Sequence, residues 1–344
     1  NSPDPLDLIK QYGADGIRTG MLFSSPAGND LLFDEKLCEQ GLAFSNKMWN
    51  ALRLIKSWEV VEENPNKDSQ KLNDLSIAWM QTKLQKELAI LEENIQNFRL
   101  SEGLMNLRNF IWNEFCSWYL EMVKPVYGEP IDRKTLEATI DLYEQMMTAL
   151  HPFMPFTTEE IWHQLKERQE GEDCIVSTWK TGGEFDAALL KEVEFAQSIV
   201  SNIRDIRKKN QLKDREPLTA FIQTSSEAAS ILKNDNIYPL LMRLGYLESI
   251  EVTENEPEST VSFVTGAEKF YIKIEKEIDV EAERERLTTE LERAKKFLIG
   301  VNKKLGNERL VNNAPEAVVA KEKQKLADGE ARVKSLEESL AKLG

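Results

Sequence analysis

Side chains able to do covalent or metal chemistry are few in this chain and poorly spaced for it. Its two histidines, His151 and His163, and its three cysteines, Cys38, Cys116 and Cys174, form no H-x-x-x-H and no C-x-x-C pair. Those spacings aim two ligands at one ion, so no metal site is expected from the pattern. The phosphate-cradling G-x-G-x-x-G and G-x-x-x-x-G-K-[ST] loops are absent, as is the G-x-S-x-G nucleophile turn. Carboxylates are abundant, but on helical faces they ordinarily serve as solvated charge. No catalytic residue and no bound cofactor is expected.

The remaining charged residues suit recognition of a polyanion. With 44 Lys and Arg against 59 Asp and Glu, the formal net charge is −15. The distribution says more than the sum. Asp279–Gly344 carries +1 and the rest of the chain −16. Within Arg293–Val311 six basic residues (Arg293, Lys295, Lys296, Lys303, Lys304, Arg309) face one acid, Glu308. A second cluster holds Arg204, Arg207, Lys208, Lys209, Lys213 and Arg215 against Asp205 and Asp214. A third, weaker one lies on Glu35–Trp58, with Lys36, Lys47, Arg53 and Lys56. Taken singly, each cluster also reads as solubilising surface charge. Phosphate binding follows the local potential, so the acidic total does not exclude a nucleic-acid partner.

The elements that must position these residues are mostly helices. At 344 residues, 41% hydrophobic and 30% charged, the chain is composed like a soluble globular protein of two or three domains. No run approaches the ~18 apolar residues of a membrane span, and no secretory leader pattern is present. Three widely separated cysteines point to a reducing compartment, hence the cytoplasm. Residues 1–34 read as a connector, whose first stretch, Asn1–Gly28, is rich in Pro, Asp and Gly and ends in a turn-like Ser24–Gly28. Asp34 then caps a helix over Glu35–Trp58, whose Phe44, Met48, Leu52 and Ile55 make one apolar stripe. A polar loop, Glu62–Gln70, follows. Helical patterns come next at about Leu72–Asn97, Glu102–Val123 and Arg133–Leu150. Thr157-x-x-Glu160 has the form of a capping box opening a short helix through Trp162. Residues 35–184 thus read as a helical bundle with an aromatic core.

Residues 185–278 have a different texture. A helix through Lys209 leads to strand-like runs at Leu218–Gln223, Ser249–Val252, Thr260–Val264 and Phe270–Ile274. Helical segments are expected around Ala228–Leu232 and Tyr238–Leu244, making a small α+β domain. In residues 279–344, Val280, Leu287, Leu291, Ala294, Leu298, Val301 and Leu305 keep a heptad register that skips one position, at Arg284. The pattern resumes weakly with Val319 and Leu326 and cleanly with Val333, Leu336, Leu340 and Leu343. Two such stretches joined by an Asn/Pro loop predict an antiparallel coiled-coil hairpin, with arms reaching ~40 Å at 1.5 Å per residue. A projection of that kind serves to reach a partner.

Several segments resemble known sequences. HPFMPFTTEEIW (His151–Trp162) is similar to the segment closing the anticodon-binding helical bundle of the class I aminoacyl-tRNA synthetases for valine, isoleucine and leucine. DPLDLIKQYGADGIR (Asp4–Arg18) resembles the stretch after their K-M-S-K-S loop. SPAGNDLLFDE (Ser25–Glu35) and FSNKMWNALRLI (Phe44–Ile55) resemble the opening bundle helix of the valyl family. KLGNERLVNNAPEAVVAKEKQKL (Lys304–Leu326) is similar to the turn of its C-terminal coiled-coil arm. The likeness runs through nearly the whole chain and is weakest over Lys166–Glu192 and Thr219–Lys276. No cysteine-rich zinc tail is present, which separates the chain from the isoleucyl family.

The resemblance implies a mainly α architecture: a class I synthetase-type anticodon-binding bundle, a small α+β domain and a coiled-coil arm. The family's nucleotide-binding fold, with its H-I-G-H and K-M-S-K-S motifs, and its editing domain are not in this sequence. It therefore implies a C-terminal part of an ATP- and Mg-dependent ligase that charges valine tRNA, the part itself being inactive alone. It implies tRNA as partner, no DNA or membrane, and a monomer. Anticodon contacts would fall on Lys36, Asn46, Lys47, Asn50, Arg53 and Leu54, the last standing where an aromatic is more usual. Contacts to the tRNA core would fall on Arg293, Lys295, Lys296, Lys303, Lys304 and Arg309, with Arg204, Arg207, Lys208 and Lys209 as a further basic patch. The alternatives are the anticodon module of an isoleucyl or leucyl enzyme, or a helical scaffold with no RNA role.

Overall fold

A computed structural model describes residues 4–25, 33–64, 66–224, 234, 237–274, 280–306 and 316–342. The chain is mainly α and divides into two compact units, Asn1–Lys191 and Glu192–Gly344. Among the described residues no helix is long and apolar enough to cross a membrane.

The first unit begins with a helix where the Pro- and Gly-rich composition suggested a connector. This helix, α1 (Pro5–Phe23), has Pro5 in its first turn, and Asp4 caps it by accepting the Leu6 N–H at 2.8 Å. Gly13, at φ +71°, kinks it. Helix α2 (Glu35–Lys56) starts at Asp34, whose carboxylate accepts the Lys36 N–H at 3.0 Å. The glycines are what hold α1 and α2 together. A Cβ on Gly41 would sit 2.6 Å from the Gly16 carbonyl oxygen, and one on Gly20 would sit 2.6 Å from Cys38 Sγ. Leu8, Tyr12, Ile17 and Cys38 fill the seam beside them.

The polar loop after α2 is shorter than its composition suggests. Asn66 accepts the N–H groups of Asp68 and Ser69 and starts α3 (Lys67–Gln96) inside the stretch expected to be loop. The helical pattern expected over Glu102–Val123 is three segments: α4 (Leu100–Asn109), a π-helix (Phe110–Tyr119) and α5 (Leu120–Val123). The wider π turn lets Phe110, Phe115 and Leu120, five residues apart, all be buried in the core. An α-helical period would rotate them off one line. A two-residue parallel pair, β1 (Val60–Val61) with β2 (Ile131–Asp132), leads into α6 (Arg133–Leu150), capped by Asp132. Phe115 stacks between Tyr119 and Tyr143 at centroid distances of 5.4 and 4.9 Å, and Tyr143 donates to the Met48 carbonyl at 2.8 Å.

Helix α7 (Pro155–Leu165) corrects a local expectation. Thr157 and Glu160 do not form a capping box, because the helix starts two residues earlier and no side chain of its own caps it. The carboxylate of Asp15, on α1, accepts the N–H groups of Phe156 and Thr157 at 3.4 and 2.5 Å. Arg18 completes the join by donating to the carbonyls of Pro152 and Phe153 at 3.0 and 3.1 Å.

In the second unit, α8 (Ala187–Lys209, its first turn belonging to the first unit) precedes a four-stranded sheet of order β4-β3-β6-β5. The strands are β3 (Leu218–Gln223), β4 (Leu247–Thr253), β5 (Thr260–Thr265) and β6 (Glu268–Lys273). β3 and β4 are parallel, so a crossover is obligatory, and α9 (Ile237–Gly245) lies on it. β5 and β6 form a hairpin turning at Gly266, φ +60°. The helix expected around Ala228–Leu232 lies outside the described residues.

The arm consists of α10 (Val280–Leu305) and α11 (Glu316–Lys342). They run antiparallel, since Lys295 pairs with Glu337 at 2.6 Å and Lys304 with Glu322 at 3.8 Å. Leu287, Ala294 and Leu336 are buried between them, with Leu291, Val333 and Leu340 alongside. Where the heptad pattern weakens, the seam holds Glu322 and Gly329. A Cβ on Gly329 would lie 2.6 Å from Leu298 Cδ2, so the glycine admits the facing leucine. At the arm's base Ser339 meets Ser262 and Lys269, tying α11 to β5 and β6.

Candidate nucleic-acid interface

Helix α2 buries Phe44, Met48, Leu52 and Ile55, and its opposite face carries Glu39, Asn46, Asn50 and Arg53, all exposed. Lys36 is exposed near the N-terminus. Asn46, Asn50 and Arg53 make no side-chain hydrogen bond or ion pair among the described residues, so their donors and acceptors are available to an incoming group. Lys47 and Leu54 sit on the flank instead, half buried. The Lys47 ammonium lies 5.6 Å from the centre of the Trp112 ring, which also has the Arg108 guanidinium at 5.0 Å. Two cations on one indole form a positively charged aromatic edge beside the polar face.

An aromatic that the sequence pattern did not single out stands on this helix. Trp49 is 37% exposed and lies beside Asn46 and Arg53, one helical turn away on either side. Its signal was available: on a helical wheel it falls at the margin of the polar face, away from the apolar stripe.

The arm presents its charge unevenly. Lys295 and Lys304 are engaged across the seam by Glu337 and Glu322. Arg293, Lys296 and Lys303 are exposed and have no ion pair among the described residues. Arg309 lies outside the described residues. Near the base a cavity of about 600 Å³ is lined by Lys209, Arg293, Lys325 and Arg332, with Phe297, 52% exposed, at its wall. Asp205, Glu290 and Asp328 line it as well, so the site is charged but close to balanced.

The third patch needs correction. Arg207 is not a surface cation: it is 3% exposed. Its guanidinium donates to the carbonyls of Lys213 and Glu216 from Nη1 and of Gly245 and Tyr246 from Nη2, at 2.6–3.1 Å. That cation ties the end of α8 to the turn before β4. Lys209 pairs with Glu290 at 3.5 Å, while Arg204 and Lys208 remain exposed.

Comparison with known proteins decides between the readings. Residues 78–222 match the family model described as the anticodon-binding domain of tRNA ligase, and residues 279–344 match the valyl tRNA synthetase tRNA binding arm. The chain belongs to the valyl-tRNA synthetase family. It is similar over its full length to the valine–tRNA ligases of Christiangramia forsetii, at 44% identity, and Bacteroides thetaiotaomicron, at 43%, covering 38% of each. It is also 35% identical over 97% of its length to that of Oceanobacillus iheyensis, covering 39% of it. The chain therefore spans less than half the length of these valyl-tRNA synthetase relatives. The arm match coincides with α10 and α11, whereas the anticodon-domain match begins inside α3 and leaves α2 ahead of it.

Proposed function

We propose that this chain is the tRNA-recognition portion of a valine–tRNA ligase, which as a whole charges valine tRNA with ATP and Mg. The reading divides it into a connector (residues 1–34), an anticodon-binding bundle (35–184), a small α+β domain (185–278) and a tRNA-gripping arm (279–344). The observation that carries it is the pair of unengaged polar surfaces on a chain of this family: Asn46, Asn50 and Arg53 on α2, and Arg293, Lys296 and Lys303 on the arm. Single-stranded RNA is read through splayed bases, which need amide and guanidinium groups for their edges and an aromatic or apolar surface for their faces. Trp49 and the Trp112 edge supply the second requirement, in place of Leu54. Lys36 and Lys47 meet phosphate. On the arm, Lys295 and Lys304 are already partly neutralised, so Arg293, Lys296 and Lys303 carry most of the contact to the tRNA core, and Arg309 adds to it. Arg204, Lys208 and Lys209 add a weaker patch. The protein is a cytoplasmic monomer that binds neither DNA nor membrane and needs no cofactor for tRNA binding.

The test is binding of the chain to a valine tRNA transcript and to the same transcript with a changed anticodon. Replacing Asn50 and Arg53 by Ala weakens binding by about 1–3 kcal/mol for each base edge no longer held and removes the preference for the correct anticodon. Replacing Lys296 and Lys303 by Ala weakens both transcripts alike and flattens the log–log salt slope by roughly 0.7–0.9 for each phosphate no longer neutralised. Equal binding of both transcripts by the unaltered chain would sink the anticodon assignment.

A further inference from the structure

The two histidines, set aside on spacing, converge in the first unit with two carboxylates. Glu159 and His163 stand one turn apart on α7, and the segment after the helix folds back to bring Asp173 beside them. Trp162 Nε1 donates to the Glu172 carbonyl at 2.8 Å, and Arg168 Nε to the Trp162 carbonyl at 2.9 Å. The Glu159 carboxylate accepts the N–H groups of Cys174 and Ile175 at 2.7 and 3.2 Å, which fixes its orientation. His163 Nε2 is then 3.3 Å from Glu159 Oε1 and 3.0 Å from Asp173 Oδ1, and all three ligand atoms lie within 4.8 Å of one another. A tetrahedral zinc ion with ligands at 2.0–2.1 Å holds them about 3.4 Å apart. The two separations from His163 Nε2, 3.3 and 3.0 Å, are close to that edge.

Two further observations ask for a cation here. The neighbouring cations are occupied: Lys166 and Arg168 both pair with Glu144, and no Lys or Arg pairs with Glu159 or Asp173 among the described residues. His151 supplies the other. Thr158 Oγ1 gives its proton to the Met154 carbonyl at 2.8 Å, so its contact with His151 Nδ1, also 2.8 Å, requires the imidazole to be the donor. Its Nε2 is buried, has no hydrogen-bond partner among the described residues and lies 3.9 Å from Glu159 Oε2. An orphaned imidazole nitrogen thus flanks a carboxylate that no Lys or Arg neutralises.

We propose that Glu159, His163 and Asp173 form a binding site for a divalent transition metal of the zinc class. His151 flanks it on the other oxygen of Glu159. A mixed imidazole and carboxylate set with one histidine at its centre suits zinc or cobalt far better than magnesium or calcium, which take oxygen ligands alone. The metal staples residues 166–176 to α7 and has no part in catalysis. Glu159 and His163 are 4 residues apart on one helix, but with a carboxylate in place of one histidine they fall outside the H-x-x-x-H pattern, and Asp173, 10 residues on, joins them only through the fold-back of the second stretch.

The experiment uses the full chain, freed of any affinity tag and treated with chelator, then titrated with Zn²⁺ or Co²⁺. The expected result is uptake of one equivalent at micromolar metal and a raised Tm. Bound Co²⁺ should show the intense visible absorption of a four-coordinate site, lost on adding Zn²⁺, and Mg²⁺ should do neither. His163→Ala and Asp173→Asn should each lower metal affinity at least tenfold. Asp173→Asn preserves shape and half the hydrogen bonding, so it decides the matter if His163→Ala alters the fold by circular dichroism. Absence of saturable uptake, or uptake unchanged in Asp173→Asn, overturns the site.

Discussion

Arg207→Lys distinguishes a structural cation from an RNA contact in one substitution. The guanidinium serves four backbone carbonyls in two pairs, one pair from each Nη, with almost no exposure to solvent. Lysine keeps the charge but presents one compact ammonium, which reaches one pair at best. Two charge-assisted hydrogen bonds are lost at about 1.5 kcal/mol each, a cost of about 3 kcal/mol to the second unit. At a urea slope of about 2 kcal/mol/M, that lowers its midpoint by about 1.5 M. The protein supplies its own assay. All seven tryptophans, Trp49 through Trp179, lie in the first unit, so their fluorescence reports that unit alone while far-ultraviolet circular dichroism reports both. Arg207→Lys should move the dichroism transition and leave the fluorescence transition in place. Were Arg207 a phosphate contact, lysine would preserve stability and nearly all RNA affinity. A dichroism transition that does not move would refute the structural role.

Three other outcomes are expected. Gly41→Ala drives a methyl to 2.6 Å from the Gly16 carbonyl oxygen and should destabilise the first unit by about 2 kcal/mol in the fluorescence transition. Asp15→Asn removes the negative charge from the N-terminus of α7 and should cost about 1 kcal/mol by the same measurement, with no change if water replaces the cap. The third concerns pH. Burial pushes the Cys116 thiol up to about 12 and the Cys174 thiol to about 11, against 9.0 for the free side chain. Above pH 9 the folded state therefore holds more protons than the unfolded one, so stability is complete below pH 9 and falls as pH rises toward 12. The urea midpoint should drop over that range, and Cys116→Ala should drop less steeply; equal slopes would contradict the burial effect.

Features set by nearby residues were legible in the sequence. Asp34 caps α2 because its carboxylate needs only the N–H two residues on. The run Leu218–Gln223 is β3 to the residue, since alternation and turn residues bound it. The heptads of α10 specify their own seam. The candidate interface was legible to the same extent: the polar face of α2 follows from its apolar stripe, and the basic run on the arm from composition.

What the sequence left open depends on partners distant along the chain. Asp15 caps a helix that begins 140 residues later, so Thr157 and Glu160 make a capping pattern without making the cap. Arg207 reads like its basic neighbours until Gly245 and Tyr246 return beside it and bury it. Glu322 and Gly329 break the heptad on paper and complete the seam in space, because Lys304 and Leu298 face them. Glu159 and His163 share one face of α7, but Asp173 stands apart from them until the segment after α7 turns back. Local hydrogen bonding and side-chain period thus determined which elements form and which faces are polar. Only tertiary structure decided which charges remain free to meet a partner, because a charge is spent or left available by whatever the fold places opposite it.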